Sequence, residues 1–307
     1  LELPGGEVTR AWEVWSAWWF GPVDARVLAA MRISLGLLLL HWWAQLGSDL
    51  PALFADEGLV GPRALVRDWT TTRWSHLDHL SPRGLYAAHV AGAVAIAAFT
   101  LGVGTRLTNV VVAALLIGLH HRNPWIQNGG DRLLRLWALY LCLTPSGAAW
   151  SVDAWVRRWR GLPAVTEVPI FGLRLVQLQV GWMYLDTGVE KVLGTGWTDG
   201  TAIHWALSDG NFNRAPWLYD PLLYSWPGQV WAAVTTYLTL GWELLFVPMV
   251  IWPRTRTAAL VLGVGLHLGI LATMSVGVFG PASVWGYQAF LWDRWPRPGP
   301  AHPAGRR

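Results

Sequence analysis

Charge is what this 307-residue sequence has least of: Asp, Glu, Lys and Arg together make up 14% of it, against about 25% in an average soluble domain. A soluble fold of this length needs charge to cover its surface, so a soluble globular enzyme and a disordered chain are both excluded. The shortage is concentrated. Residues 257–292 form a run of 36 positions with no Asp, Glu, Lys or Arg and, as its one basic side chain, His267. As one helix that run would measure about 54 Å, well beyond a hydrocarbon core of about 30 Å. Lysine is scarcer still: of 23 basic residues, Lys191 is the single lysine and the rest are arginine. A coding bias towards arginine accounts for the missing lysines and leaves the remaining one to be explained. Cysteine is limited to Cys142, which excludes a disulfide framework. No Walker motif, G-x-S-x-G elbow or dinucleotide fingerprint occurs, no cleavable signal pattern is expected at the start, and the arginines are too dispersed for a nucleic-acid partner.

What is present is hydrophobic: 53% of the residues, with 24 Trp. Spanning-length apolar windows fall near 27–46, 85–104, 107–124, 132–150, 169–190, 229–252, 257–275 and 279–292. For the last, which follows Gly280-Pro281, an eighth span and a re-entrant hairpin both fit. Nothing shows the ten-residue alternation of an outer-membrane barrel. In lipid, backbone polar groups must bond internally, so the segments are helices. The fold expected is an all-α polytopic integral membrane protein with about 7–8 transmembrane helices. Trp12, Trp15 and Trp18 or Trp19 recur at helical spacing ahead of the first span, as in a helix lying in the membrane interface. The chain thus divides into an interfacial helix over 1–26, one membrane domain over 27–292 and a cytoplasmic tail over 293–307. Arg106, Arg157, Arg158, Arg160, Arg254 and Arg256 fall in loops on one side. The positive-inside rule then makes the N-terminus cytoplasmic and the long loops 47–83 and 191–228 extracytoplasmic, although Arg63, Arg67, Arg73 and Arg83 in the first loop count the other way.

Ionisable side chains inside spans cost at least about 2.5 kcal/mol each on insertion scales, so each is a site candidate. They are Arg32, His41, His89, Arg135, Arg174, Asp186, Glu190, Lys191, Glu243 and His267, of which Arg32, Glu190 and Lys191 sit where a long side chain can snorkel outward. In the fifth window Gln177, Gly181, Tyr184, Gly188 and Lys191 follow at spacings of 4, 3, 4 and 3, one helical face that is small and polar. A lysine at the end of such a stripe is a base when partly desolvated; the plainer reading pairs it with Asp186 or Glu190. His267 reads either as a site residue or as a histidine bonded to a neighbouring carbonyl. For Glu243, the one charge in its window, an ion pair with an intramembrane arginine and protonation are the two fates. Asn128-Gly129-Gly130-Asp131 reads as a tight turn followed by a helix cap, or as an acid beside a mobile backbone at the outer face. His76-Leu77-Asp78-His79 and His120-His121 lack zincin spacing, and no metal is expected.

Taken together these segments resemble one family. Phe20-Gly-Pro-Val-Asp24 leads into Leu28-Ala-Ala-Met-Arg32; Asn128-Gly-Gly-Asp131 is followed by Pro145 and Ser151-Val-Asp153. Then come Tyr184, Gly188, Lys191, Trp197 and Gly200-Thr-Ala202, and last Glu243-Leu-Leu-Phe-Val-Pro248, Arg256, His267 and Phe279. The order is similar to that of the HTTM superfamily, the membrane domain related to vitamin K-dependent gamma-carboxylase, over about residues 18–292. The resemblance implies a carbon–carbon lyase class of chemistry, carboxylase- or epoxidase-like, with reduced vitamin K or a menaquinol-type quinol as cofactor. It implies Lys191 as the base that deprotonates the quinol, with His267 and Asp131 as further catalytic candidates. Tyr184, Gln177, Gly188, Glu190, Trp197 and Glu243 would bind the quinol or support the site. The carboxylases carry a large lumenal domain after the membrane part, whereas this sequence stops at Arg307, and other family members without that domain take part in maturing secreted toxin peptides. The partners expected are therefore membrane lipid, a lipid-soluble quinol, and a secreted peptide or a separate extracytoplasmic subunit. The alternative function is a non-catalytic membrane partner or chaperone for such a peptide.

Overall fold

A computed structural model describes residues 5–59 and 74–292; the centre of the 47–83 loop and the expected tail at 293–307 lie outside them. Helix α1 (Gly5–Phe20) carries the tryptophans on its surface, with the Trp12 and Trp15 rings stacked 5.1 Å apart. A two-stranded antiparallel clasp follows, β1 (Pro22–Asp24) on β2 (Glu167–Pro169), with Val23 opposite Val168. Asp24 ends the first strand and caps α2 (Ala25–Phe54), accepting from Arg26 N at 2.8 Å.

Helix α2 turns a ladder of Leu28, Leu35, Leu39, Trp43, Leu46 and Leu50 inward, at spacings of three, four and seven that keep one face on the core. Against it lies α3 (Pro82–Leu101), started by Ser81, whose hydroxyl accepts from Gly84 N, and stopped by Gly102 in the left-handed region at φ 72°. His89 on α3 stacks on Trp43 at 5.1 Å and its carbonyl accepts from Trp43 Nε1, so it joins two helices. Next come α4 (Thr105–Arg122), α5 (Gly129–Cys142) and the short α6 (Val152–Trp159). Helix α7 (Phe171–Leu193) then runs alongside α11 (Trp226–Ile251). Between them the chain makes three small helices, α8 (Thr195–Thr198), α9 (Ala202–Ser208) and α10 (Pro216–Leu223). Helices α12 (Arg256–Thr273) and α13 (Phe279–Gly286) and a 3₁₀ turn over Tyr287–Phe290 complete the described part.

The fold is mostly helical and membrane-embedded, but the expectation of seven or eight spanning helices is corrected. Among the described residues, four helices are long and apolar enough to cross a membrane: α2, α3, α11 and α12. Helix α7 has the length, at 23 residues, but carries Arg174, Asp186, Glu190 and Lys191. The window at 132–150 breaks at Cys142, so α5 has 14 residues, about 21 Å. Beyond it the chain turns through Pro145-Ser146-Gly147. The segment at 279–292 is no span: α13 has eight residues, about 12 Å, and is folded into the protein, where Ala282, Ser283 and Trp285 are fully or almost fully buried. Its hydrophobicity serves the core. Trp137 of α5 donates to Ala282 O at 3.0 Å and packs on Trp285.

Arg32 is corrected as well. It does not snorkel outward; it is fully buried, and its guanidinium donates to the carbonyls of Ser146, Ala149 and Trp150. A planar fork with five donors suits several carbonyls that no helix satisfies. The arginine thereby fixes the turn between α5 and α6, including Trp150, which sits at φ 45°.

Candidate functional site

The polar stripe of α7 faces α11. Gly188 lets the two helices close up: a Cβ there would stand 3.0 Å from Leu244 Cδ2. At the end of the stripe Lys191 Nζ lies 2.7 Å from Glu243 Oε2 and 4.9 Å from the centre of the Trp197 ring. Lys191 is thus paired across the helix interface and not with Asp186 or Glu190, which are exposed. Glu243, buried on α11, meets the lysine and, among the described residues, no arginine. Each charge answers the other in a place where either alone would be expensive.

Two turns back along α7, the buried Tyr184 hydroxyl lies 2.7 Å from His267 Nε2 and 2.6 Å from the Tyr287 hydroxyl. Tyr184 has one proton, so it donates to one neighbour and accepts from the other. His267 Nδ1 is buried with no hydrogen-bond partner, so the reading of a histidine satisfied by a carbonyl does not hold. Room for this trio comes from Gly263 on α12, where a Cβ would come within 2.3 Å of the Tyr287 hydroxyl and 2.6 Å of the Trp242 ring.

The ion pair and two members of the trio, Tyr184 and His267, border one cavity of about 410 Å³ between α7, α11 and α12. Met183, Leu266, Ile270 and Phe279 make its walls mainly apolar. The loop after α7 closes one end: Asn213 pairs with Met274 past the end of α12, Arg214 N donates to Thr273 O, and Ser275 N donates to Phe212 O at 2.7 Å. The volume is within the range of small-molecule sites, about 300–1,000 Å³. A mainly apolar chamber with a cation–anion pair and a partly unsatisfied histidine can hold a lipid-soluble molecule with a polar head and exchange protons with it.

The other predicted residues are placed elsewhere. Glu190 is exposed. Gln177 lies towards the opposite end of α7, donating to Ala289 O at 2.7 Å and accepting from Arg174. Asp131 forms a capping box with Asn128: its Oδ2 accepts from Asn128 N at 2.9 Å, while Asn128 Oδ1 accepts from Gly130 N and Asp131 N. It borders a second cavity of about 210 Å³ beside His120. The glycines before it have a packing reason, since a Cβ on Gly130 would lie 2.5 Å from Phe279 N. Phe279 in turn packs edge-on to His267 at 5.5 Å, so the Asn128–Asp131 motif reaches the main cavity through that ring. Tyr287 escaped the sequence reading. The available signal was a phenol within the uncharged 257–292 run, whose hydroxyl must find a partner when buried. Among the described residues no three His, Cys, Asp or Glu side chains come together in a metal-holding group.

Comparison with known proteins bears on this arrangement. A stretch of 100 residues, 31% of the chain, is 31% identical to the Sporulation-delaying protein SdpB of Bacillus subtilis (strain 168). The match spans about 30% of that relative's length. No solved structure matches. The model of the HTTM domain matches residues 20–295, which takes in α2 to α13 and every residue of the cavity. The chain belongs to the HTTM domain family.

Proposed function

We propose that the protein is a quinol-dependent membrane enzyme of oxidation or carboxylation type, with Lys191 as base and its site in the 410 Å³ cavity. The observation that carries the reading is the Lys191–Glu243 contact at 2.7 Å in the wall of a mainly apolar chamber. A proton passed across that contact leaves a neutral amine and a neutral carboxylic acid, an exchange that a low-dielectric site favours over separated charges. The amine is then competent to accept a proton from a ligand hydroxyl. His267 Nδ1 offers the chamber a donor or an acceptor according to which way the two protons of Tyr184 and Tyr287 are turned. Trp197 and Lys191 hold the polar end; Met183, Leu266 and Ile270 suit an apolar ring or tail. When bound, a reduced quinone supplies the reducing equivalents and an acidic hydroxyl.

The test compares Lys191→Met with Lys191→Arg in reconstituted protein, following oxidation or epoxidation of a reduced vitamin K or menaquinol. Both variants should lose at least about 100-fold in turnover, the usual contribution of a positioned base. Wild-type turnover in both would end the assignment. Extraction of the purified protein's lipids should yield a bound quinone.

The second reading is a non-catalytic membrane partner or chaperone in the maturation of a secreted peptide. It predicts that Lys191→Met folds and loses a co-purifying protein, with no redox product from the wild type. For orientation, we place the N-terminus in the cytoplasm, with the 191–228 loop and the Lys191 end of the cavity outside. The support is that Arg106, Arg157, Arg158 and Arg254 lie at the opposite end of the helices. The division into an interfacial helix, one membrane domain and a tail goes with that reading.

A further inference from the structure

Helix α6 is held at the end of the α3 span by its own acid. Asp153 Oδ1 accepts from Gly104 N at 2.8 Å, and Oδ2 accepts from Thr105 N and Thr105 Oγ1, both at 2.7 Å. The carboxylate thus starts α4 and ties α6 to the turn that ends α3, at the level where apolar Leu101 gives way to Arg106. Fixed there, α6 turns Val152, Trp155 and Trp159 away from the protein; the two indoles are 63% and 77% exposed. Spacings of three and four put them on one face, and among the described residues no other element covers it.

On the protein side of α6 a cleft of about 480 Å³ runs between the helix, the start of α4 and the 144–148 turn, with Arg106 and Arg157 on its rim. A second cleft, which shares Ala148, Ala154, Arg157 and Val165 with the first, carries Arg158 as well. Both acids that line these clefts are engaged: Asp153 with α4, Asp24 with Arg26 at 2.6 Å. Arg157 is steered by one hydrogen bond, from Nε to Pro163 O at 2.8 Å. Among the described residues Arg106, Arg157 and Arg158 form no ion pair. Exposed indoles sit well at headgroup depth, and guanidinium groups pair with phosphate in a two-pronged fork.

We propose that α6 and its flanking clefts form a binding site for an anionic phospholipid. Arg106, Arg157 and Arg158 hold the headgroup phosphate, and Trp155 and Trp159 lie among the upper acyl chains. The site is separate from the cavity at Lys191 and does not depend on any reaction there. It goes beyond general lipid contact because it selects headgroup charge.

The test uses the purified full chain in neutral detergent, titrated with phosphatidylglycerol or phosphatidylcholine, reading the thermal midpoint. Phosphatidylglycerol should raise the midpoint of the wild type, phosphatidylcholine should do so less, and about 0.5 M salt should remove the difference. Each arginine near a charged headgroup layer contributes enough for about a fivefold change in affinity. Arg106→Gln and Arg158→Gln should therefore each raise the half-saturating phosphatidylglycerol about fivefold, and Arg106→Gln with Arg157→Gln about 25-fold. Arg83→Gln, at the other end of α3, should leave it unchanged. Arg158 is exposed, so its variant reads the site even where the double variant fails to fold. Equal responses to the two lipids, or unchanged titrations in the Arg106 and Arg158 variants, would overturn the proposal. So would inorganic phosphate alone reproducing the shift, which would mark a free-anion site.

Discussion

Removing the amine of Lys191 should harm the fold through Glu243, and neutralising Glu243 should repair the damage. The pair has side-chain exposures of 20% and 9% with a contact of 2.7 Å. Breaking a buried pair by deleting one partner costs about 3–5 kcal/mol, chiefly because the other charge stays buried. The partial exposure of Lys191 places Lys191→Met at the lower end, about 3 kcal/mol, and the lost contact with the Trp197 ring adds about 0.5 kcal/mol. For a chain of this size that corresponds to a midpoint lowered by roughly 5–6 °C. In Lys191→Met with Glu243→Gln the orphaned charge is gone and the amide is polar but neutral, so at least half of the loss should return. Thermal unfolding followed by size-exclusion fluorescence in one detergent measures all four forms of the cycle. A double variant no more stable than Lys191→Met, or a single variant within about 1 °C of wild type, would refute the reasoning. The cycle also guards the activity test, since a folded double variant without turnover separates a lost base from a lost fold.

Other outcomes follow from the same geometry. Gly263→Ala should lower stability by about 2 kcal/mol, because its Cβ meets Tyr287 and Trp242; Gly265→Ala, with open space around it, should be neutral or slightly stabilising in the same melt. Arg32→Lys should not restore what Arg32→Met removes, since one ammonium lacks the planar fork that serves three carbonyls; protease sensitivity of the 143–151 turn reports it. Burial pushes the Asp153 carboxyl up, but hydrogen bonds from Thr105 and Gly104 and the field of Arg32 outweigh it and hold the group below the usual carboxylate range. Its stabilisation is therefore full above the ordinary aspartate pKa and fades as pH falls through the lower, folded value. Asp153→Asn should cost about 1 kcal/mol at neutral pH, and a pH series of melts should show the two proteins converging in acid.

Composition and periodicity made the helical membrane fold legible, together with the polar face of α7 that packs inward. A stripe of Tyr184, Gly188 and Lys191 can be read from one helix alone because helical spacing is local. Which residue answers Lys191 is not local. Glu243 lies on a helix reached only after three short ones, and the nearer Asp186 and Glu190 were the natural partners on sequence distance. The number of spans failed for a related reason: hydropathy records the avoidance of water and does not distinguish lipid from protein interior. The residues of α13 are apolar because they pack inside the protein, where Trp137 lies against Ala282 and Trp285. The break after Cys142 was visible in Pro145-Ser146-Gly147, but nothing in the sequence announced that Arg32 would bind that turn. Asp131 drew notice as an acid in a glycine-rich motif, and its neighbours' real constraint, the backbone of Phe279, comes from 149 positions further along.

The stretch leading into α13 has a consequence of its own. Val276 and Phe279 line the larger cavity, while Gly277 and Val278 line the smaller one beside His120. The two chambers are therefore separated by a single thickness of backbone whose side chains alternate between them. Space gained on one side of such a partition is taken from the other. A bulky occupant near His267 presses Phe279 towards Gly130, and a larger residue at Val278 narrows the chamber at Asp131 while levering the ring against His267.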